Sequence, residues 1–553
     1  MIRSELFSPA ADRSLVAAFA FRKISLLFFA LCALVLWSFL ALDARHHPDE
    51  GLYLYLAAYA DVRTLLDPRE APAYPFYVSR ILHLLIARAI FALCGPGGAA
   101  VQLLAVLYAF FVLAAILLGT ATVRRLVTWR AEMAFAVPLL ATSPVLVWLV
   151  GKTLPESPAL LATSLALYAF VRSLEAPELR RALPWSMLAA VALVAVALTR
   201  NAFLLAPCTL GATLLLFRGW RFPFGRVLAR GVLVGGLAVS LSLAALALLG
   251  IAPSAYFWVY GIAGAEHAPW AVRLYAGVMA VGPLLAIFPV VPLHRPRVEA
   301  VFFLVWFAFA TGAVYLLLAD VETRYLLVNL VPLLGLGCLG IGALAARLGA
   351  RPGRALLAFA VVVVTAGVLG RAAQPFLEHE VKADQLDTVI ATLDREYRDG
   401  YTLLTAWHHS DYHYLRVVYP HRRIHSVERS HYRRSVTVLD EEDRRFYGDG
   451  ILLDFDALAR VPRPWIYVGF EANPAIANVR RLVAHLPFAG LRAWAFGIVE
   501  KVAKRRHFYE TWVWREPRIR VVPLFEHGHY RVAELVPAER PANRSGAGEP
   551  LLP

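Results

Sequence analysis

The sequence predicts a polytopic α-helical membrane protein of about 11 transmembrane helices, followed by a small α/β domain, and three observations carry that prediction. Hydrophobic residues make up 59% of the 553 positions and charged ones 17%, against roughly 25% charged in a typical soluble chain. The apolar residues fall in runs of about 20, the length that crosses a bilayer core. From residue 372 onward the composition is again that of a globular protein.

The spans are expected near 22–42, 99–120, 131–150, 157–173, 183–199, 202–217, 228–250, 271–292, 299–318, 326–346 and 354–371. The first follows Arg22 and Lys23 without a small-residue cleavage site, so it reads as a retained helix rather than a removed signal peptide. With the N-terminus inside, every inner segment holds two to four Lys or Arg, while Lys152, Arg200, Arg273 and Arg324 stand one to each short outer loop. The positive-inside rule therefore fixes a cytoplasmic N-terminus and, after an odd number of crossings, a periplasmic C-terminus. The same distribution reads the net charge of +15 as a topology signal, with no nucleic-acid partner implied. Cys32, Cys94, Cys208 and Cys338 all sit in or beside apolar runs and suggest neither a disulfide framework nor a zinc site.

Two regions lie outside the predicted bilayer. The first outer loop, 43–98, contains "GLYLYLAAYADVRTLL" and "YPFYVSRILHLLIARAIFAL", which read as amphipathic helices on the membrane surface. The division expected is thus 1–371 for the transmembrane part and 372–553 for the soluble domain. In that domain "KADQLDTVIATLDREY" has helical spacing, and "TLLTAW", "WIYVGF" and "RIRVVPLF" read as strands. No internal repeat is evident.

The span interiors are nearly free of charge, and the notable polar residues collect on the outer side. Asp49 and Glu50 follow the first span, with Tyr53 and Arg80 in the same loop. Lys152 and Glu156 stand in "GKTLPESPALL", Arg200 in "LTRNAFLL", Glu266 and His267 in "GAEHAPW", and Glu322, Arg324 and Tyr325 in "ADVETRYLLVNLVP". Basic groups that hold a phosphate and a carboxylate that handles a proton are what a pocket for an anionic, membrane-borne substrate requires.

Four stretches carry a family resemblance. "HPDEGLYLYLAAY" resembles the Asp-Glu motif in the first outer loop of GT-C glycosyltransferases, the superfamily of protein O-mannosyltransferases and lipid A aminoarabinose transferases. "PAYPFYVSRILHLLIARAIFALCG" is similar to the family's Pro-rich stretch running into a surface helix, "LTRNAFLL" to its Thr-Lys/Arg turn, and "ETRYLLVNLVPLL" to its Arg-Tyr segment opening a late span. Arg200 occupies a place where many bacterial members carry Lys, which changes a point charge into a planar fork. The resemblance covers 1–371 by motif and the tail by position alone.

The resemblance implies a bacterial inner-membrane enzyme that moves a sugar from a polyprenyl-phosphate donor to an acceptor hydroxyl on the periplasmic face, inverting, with no cofactor beyond the lipid-linked donor. It implies Asp49 as general base, with Glu50 positioning the acceptor or the loop, and Arg200, Arg324 and Arg80 as donor-phosphate ligands. Lys152, Glu156, Glu266, His267, Glu322, Tyr53 and Tyr325 are candidates for the acceptor or sugar side. The acceptor can be a glycan, a lipid or a protein, with membrane lipids as the surroundings.

Each residue has a plainer reading. Asp49 would cap a helix starting near Gly51, Arg200 and Arg324 would anchor at headgroups, and Arg80 would sit on a solvated face. Glu156 would simply favour a helix start; Glu266 and His267 would be ordinary loop residues, and Tyr53 and Tyr325 part of an aromatic belt. A run of histidines from His408 to His431 lacks metal-ligand spacing and reads as a basic, aromatic surface or a solvated loop. The competing classes are a transporter, which would bury ionisable groups at mid-membrane, and a non-catalytic anchor presenting the tail.

Overall fold

The computed structural model of the chain describes residues 45–46, 48–59, 80–129, 136–141, 144–218, 220–251, 298–317, 323–348, 381–405, 411–427, 455–470, 516–527 and 530–538, with isolated positions between them. The expected spans at 22–42, 271–292 and 354–371 lie outside the described residues.

Six described stretches are long and apolar enough to cross a membrane: Gly98–Leu126, Glu156–Glu175, Leu179–Leu216, Phe224–Leu248, Val298–Leu316 and Arg324–Ala343. The elements are α1 (Pro48–Tyr59), α2 (Ile81–Cys94), α3 (Gly98–Leu126), α4 (Ala136–Ala141), α5 (Pro144–Leu149), α6 (Glu156–Glu175) and α7 (Leu179–Arg200). After them come α8 (Leu205–Leu216), α9 (Phe224–Leu248), α10 (Val298–Leu317) and α11 (Leu330–Leu348). The expected single span at 131–150 is instead two six-residue helices, α4 and α5. Pro144 explains the break, because it offers no N–H and disfavours helical backbone at the residue before it.

The helices alternate in direction, which sorts the charged residues between the two ends of the bundle. At one end Arg125 pairs with Glu175 at 2.5 Å, Arg226 donates to the Leu174 carbonyl at 3.2 Å, and the Thr128 N–H donates to Glu299 at 3.3 Å. That end gathers the last turns of α3 and α6 with the first turns of α9 and α10. Arg124, Arg125 and Arg172 lie in final helical turns there, where cations complement the helix dipole. The opposite end gathers the start of α6, the end of α7 and the 3₁₀ turn Thr323–Asn329. Between α7 and α8 the backbone leaves the helix at Arg200 (φ −156°, ψ 90°) and turns through Asn201–Leu204. The chain thus reverses, making Leu179–Leu216 two crossings.

The C-terminal part is a mixed five-stranded sheet. Its strands are β3 (Thr402–Thr405), β4 (Ile424–Ser426), β5 (Trp465–Phe470), β6 (Ile519–His527) and β7 (Tyr530–Pro537), in the order β4-β3-β5-β7-β6. β3 runs parallel to β4 and β5, while β7 is antiparallel to β5 and β6. α12 (Ala383–Glu396) buries Leu386, Val389, Ile390 and Leu393, the i, i+3, i+4, i+7 stripe of an amphipathic helix. α13 (Asp411–Val418) follows β3, and α14 (Phe455–Leu458) precedes β5.

This part is joined to residues 45–59 near the start of the chain. β1 (Arg45–His46) pairs antiparallel with β2 (Val381–Lys382). α1 packs against α13, with the Tyr55 and His413 rings 5.1 Å apart and the Tyr59 hydroxyl donating to the Arg416 carbonyl at 2.9 Å. The surface-helix expectation for α1 is therefore corrected: residues 50–57 are all buried. Its sequence, "GLYLYLAA", is apolar on every side, and a helix apolar all round is a buried one. α2 does keep a surface character, burying Ile81, His83, Leu84, Ala87 and Phe91 while Leu85 and Leu93 stay exposed.

Candidate active site

The polar end of the bundle holds a buried cluster of charged residues drawn from four separate parts of the chain. Pro48 opens α1, a position where its missing N–H costs nothing. This puts Asp49 and Glu50 in the first turn, inside the helix rather than ahead of one starting near Gly51. Carboxylates there are favoured by the exposed N–H groups. The Glu50 side chain is buried, and its Oε2 accepts two hydrogen bonds of 2.7 Å, from the Thr153 N–H and the Thr153 hydroxyl.

Thr153 belongs to the turn that connects α5 to α6. Gly151 has φ 86°, the left-handed region in which a Cβ is strained, and it swings the chain into Lys152. Lys152 is 1% exposed. Pro155 then caps α6, whose first residue is Glu156.

Glu156 is the centre of the cluster. It is fully buried, and its Oε1 lies 3.2 Å from Nε of Arg200 and 3.6 Å from Nε of Arg324. Both arginines are themselves buried, at 2% and 4% exposure. Their guanidinium groups also share one aromatic ring: Arg200 Cζ is 4.6 Å from the Tyr325 centroid and Arg324 Cζ 5.9 Å. Two cations this close in a dry site need an anion, and Glu156 supplies it.

A second aromatic group surrounds Arg80. The residue is fully buried, which corrects the solvated-face reading, and its Cζ is 5.2 Å from the Tyr53 centroid. Tyr53 is buried with its edge against His83 at 5.0 Å, so it is no belt residue. Tyr325, half-buried beneath the two guanidinium groups, is likewise occupied inside. The His83 Nδ1 shares a 2.6 Å hydrogen bond with the Tyr108 hydroxyl. Burial first, and then the Arg80 charge, push the imidazole down to about 3, with Glu50 pulling the other way.

Of the candidate residues, Glu50, Tyr53, Arg80, Lys152, Glu156, Arg200, Arg324 and Tyr325 all lie in this buried end. Asp49 is placed by its backbone in α1. Glu266, His267 and Glu322 lie outside the described residues. Of the histidine run, His408, His409 and His431 lie outside the described residues, while His413 is buried against Tyr55 and His421 is exposed on the sheet domain. Among the described residues no group of three metal-type ligands occurs. The reading missed Thr153, whose hydrogen bonds have no signature in sequence. It also passed over His83, which was visible between the apolar pairs Ile81-Leu82 and Leu84-Leu85 in "SRILHLLIARAIFAL".

No family model and no curated protein sequence matches the chain. Among solved structures, the crystal structure of ArnT from Cupriavidus metallidurans in the apo state aligns with a TM-score of 0.52 and 15% identity, covering 93% of this chain and 98% of that one. The chain has the ArnT fold. The crystal structure of ArnT from the same organism bound to undecaprenyl phosphate aligns with a TM-score of 0.51 and 14% identity, over 92% and 97% of the two chains. That fold agrees with the polytopic helical architecture followed by a small sheet domain that the sequence predicted. The alignment with ArnT also takes in most of the C-terminal part, where the sequence offered only a matching position.

Proposed function

We propose that the chain is a bacterial inner-membrane glycosyltransferase that transfers a sugar from a polyprenyl-phosphate carrier to an acceptor hydroxyl. The polar end of the bundle is its periplasmic face, residues 1–371 its transmembrane catalytic part and 372–553 its periplasmic domain. The observation that carries this reading is the convergence of Arg200 and Arg324 on one buried carboxylate, in a fold shared with a protein crystallised with undecaprenyl phosphate.

The residues divide the work as follows. Arg200 and Arg324 bind the donor phosphate, whose negative charge grows as the glycosidic bond breaks. Before the donor arrives, Glu156 holds their charge and their orientation. Arg80, stacked on Tyr53, supplies a further cation from the first outer loop. Lys152, Glu266, His267, Glu322, Tyr53 and Tyr325 serve the sugar or the acceptor. Asp49 removes the acceptor proton as the hydroxyl attacks the anomeric carbon from the face opposite the phosphate, so configuration inverts. Glu50 fixes α1 to the Lys152–Pro155 turn through Thr153. The leaving phosphate is stable as an anion and needs no proton. The lipid-linked donor is the one auxiliary the reaction needs, and the acceptor is a glycan, a lipid or a protein.

The test has two parts. Mass spectrometry of lipids that co-purify with the protein is expected to detect a polyprenyl phosphate or its glycosylated form. Asp49→Asn is expected to lower transfer about 10²–10⁴-fold while the protein still inserts and folds. Undiminished transfer by that variant removes Asp49 as the base, and a purified protein that holds no polyprenyl lipid argues against the donor.

A further inference from the structure

The sheet domain carries a cleft that shares no residue with the buried charged cluster. A cleft of about 510 Å³ opens at the amino ends of the three parallel strands, β4, β3 and β5. It is lined by Tyr397, Arg398, Tyr401, Arg422, Arg423 and Arg463 among others. Its size is that of a small-molecule pocket.

The frame of the cleft is held by β3. The Thr402 hydroxyl donates to the Pro462 carbonyl at 2.6 Å, and the Thr402 N–H donates to the Pro464 carbonyl at 2.9 Å. On the other side the Leu403 N–H donates to the Arg423 carbonyl at 3.0 Å. Two consecutive residues of one strand thus fasten both walls, the one carrying Arg463 and the one carrying Arg423. Gly400, at φ 97°, makes the turn that brings Tyr401 in behind them.

The charges are unequal. Arg422 is matched by Asp394 in a two-point ion pair, and both touch the Tyr401 hydroxyl, at 3.0 and 3.1 Å. Arg398, Arg423 and Arg463 have no carboxylate within ion-pair distance among the described residues, and all three are exposed. Arg463 is spread on the Trp465 ring at 4.8 Å, which orients its fork. Asp399 is the only other acid in the lining. The Tyr397 and Tyr401 rings, 6.1 Å apart, add flat apolar faces with hydroxyl edges.

We propose that this cleft binds an anionic saccharide, a sugar bearing carboxylate or phosphate groups, and holds it on the soluble domain. Guanidinium forks suit planar or tetrahedral oxyanions. Tyrosine faces suit the C–H side of a pyranose ring, and Asp399 offers an acceptor to sugar hydroxyls. A membrane surface is the poorer fit, since the site is concave and, among the described residues, no large hydrophobic side chain stands exposed beside its arginines. The proposal stands apart from the catalytic reading, because none of its residues belongs to the buried cluster.

The test is calorimetric titration of the full-length protein in nanodiscs with a galacturonic acid trisaccharide, and in parallel with uncharged maltotriose. The acidic trisaccharide is expected to bind at least tenfold more tightly than the neutral one. Arg423→Gln combined with Arg463→Gln is expected to weaken it about tenfold or more, with an unchanged melting temperature. Asp49→Asn is expected to bind it normally, so loss of catalysis and loss of this site are separate results. Equal affinity for the two sugars, no binding of either, or an unaffected double variant overturns the proposal. So does a double variant whose only defect is weaker binding to phosphatidylglycerol vesicles, which would make the cleft a lipid-headgroup site.

Discussion

Glu156 lies between two guanidinium groups and away from water, so its removal leaves like charges facing each other. Glu156→Gln keeps the shape and deletes the anion. It is expected to destabilise the transmembrane part by about 3–5 kcal/mol, the usual cost of breaking a buried ion pair. Thermal unfolding in detergent measures it, and a polyprenyl phosphate should restore part of the loss if that phosphate supplies the missing charge. His83 makes a pH prediction. Its folded-state pKa of about 3 lies below the unfolded value of about 6.5. The stability this contributes is complete above about 6.5 and is lost progressively as pH falls toward 3, since the unfolded chain takes up the proton first. His83→Phe is expected to flatten the acid side of a melting-temperature profile between those limits. An unchanged profile would mean that His83 is not held neutral. Among these residues the sequence was informative about residue type and about their gathering at one end of the bundle. Arg200, Arg324 and Glu156 were each visible in short outer loops, but their meeting was not. Pairing depends on how α6, α7 and the Thr323–Asn329 turn pack, and single-sequence periodicity says nothing of that.

At the level of elements, legibility followed how strongly each segment expressed its period. "KADQLDTVIATLDREY" became α12, and "TLLTAW", "WIYVGF" and "RIRVVPLF" became β3, β5 and β6, because each stretch pairs a clear pattern with its natural environment. α1 was misjudged as a surface helix because its partner is a domain more than three hundred residues away, which no local pattern records. Pro144, in contrast, was a local signal that should have split the third expected span. Helix contacts can be tested at Gly335 in α11. A Cβ there would come within 2.4 Å of the Phe303 ring on α10, and that ring is fully buried. Gly335→Ala is expected to force the two helices or the ring to move, costing about 1–3 kcal/mol by the usual scale of overpacking. Gly312→Ala on α10 meets nothing within 4 Å and serves as the control. Equal melting temperatures for the two variants would contradict the close approach of α10 and α11.

For the whole molecule, the sheet domain is a structural part of the site-bearing half as well as a neighbour to it. α1 carries Glu50 and Tyr53 on its way between the bundle and α13, and residues 50–57 are buried only because both sides are covered. Truncation after residue 371 is expected to uncover the face of α1 that carries Tyr55 and Tyr59 and to give a chain that aggregates or no longer holds a co-purifying lipid. Size-exclusion chromatography in mild detergent, followed by lipid analysis of the monomer peak, reads both outcomes. A truncated protein that stays monodisperse and retains its lipid would make the domain dispensable for the site.

The small ribbon between β1 and β2 has a consequence for the order of synthesis. Arg45 pairs with Lys382, so the second strand leaves the ribosome only after every helix of the bundle has been made. The segment that enters first waits for a partner that arrives last. The tie between the start of α1 and the sheet domain can therefore form only late in synthesis, after the described helices of the bundle are complete.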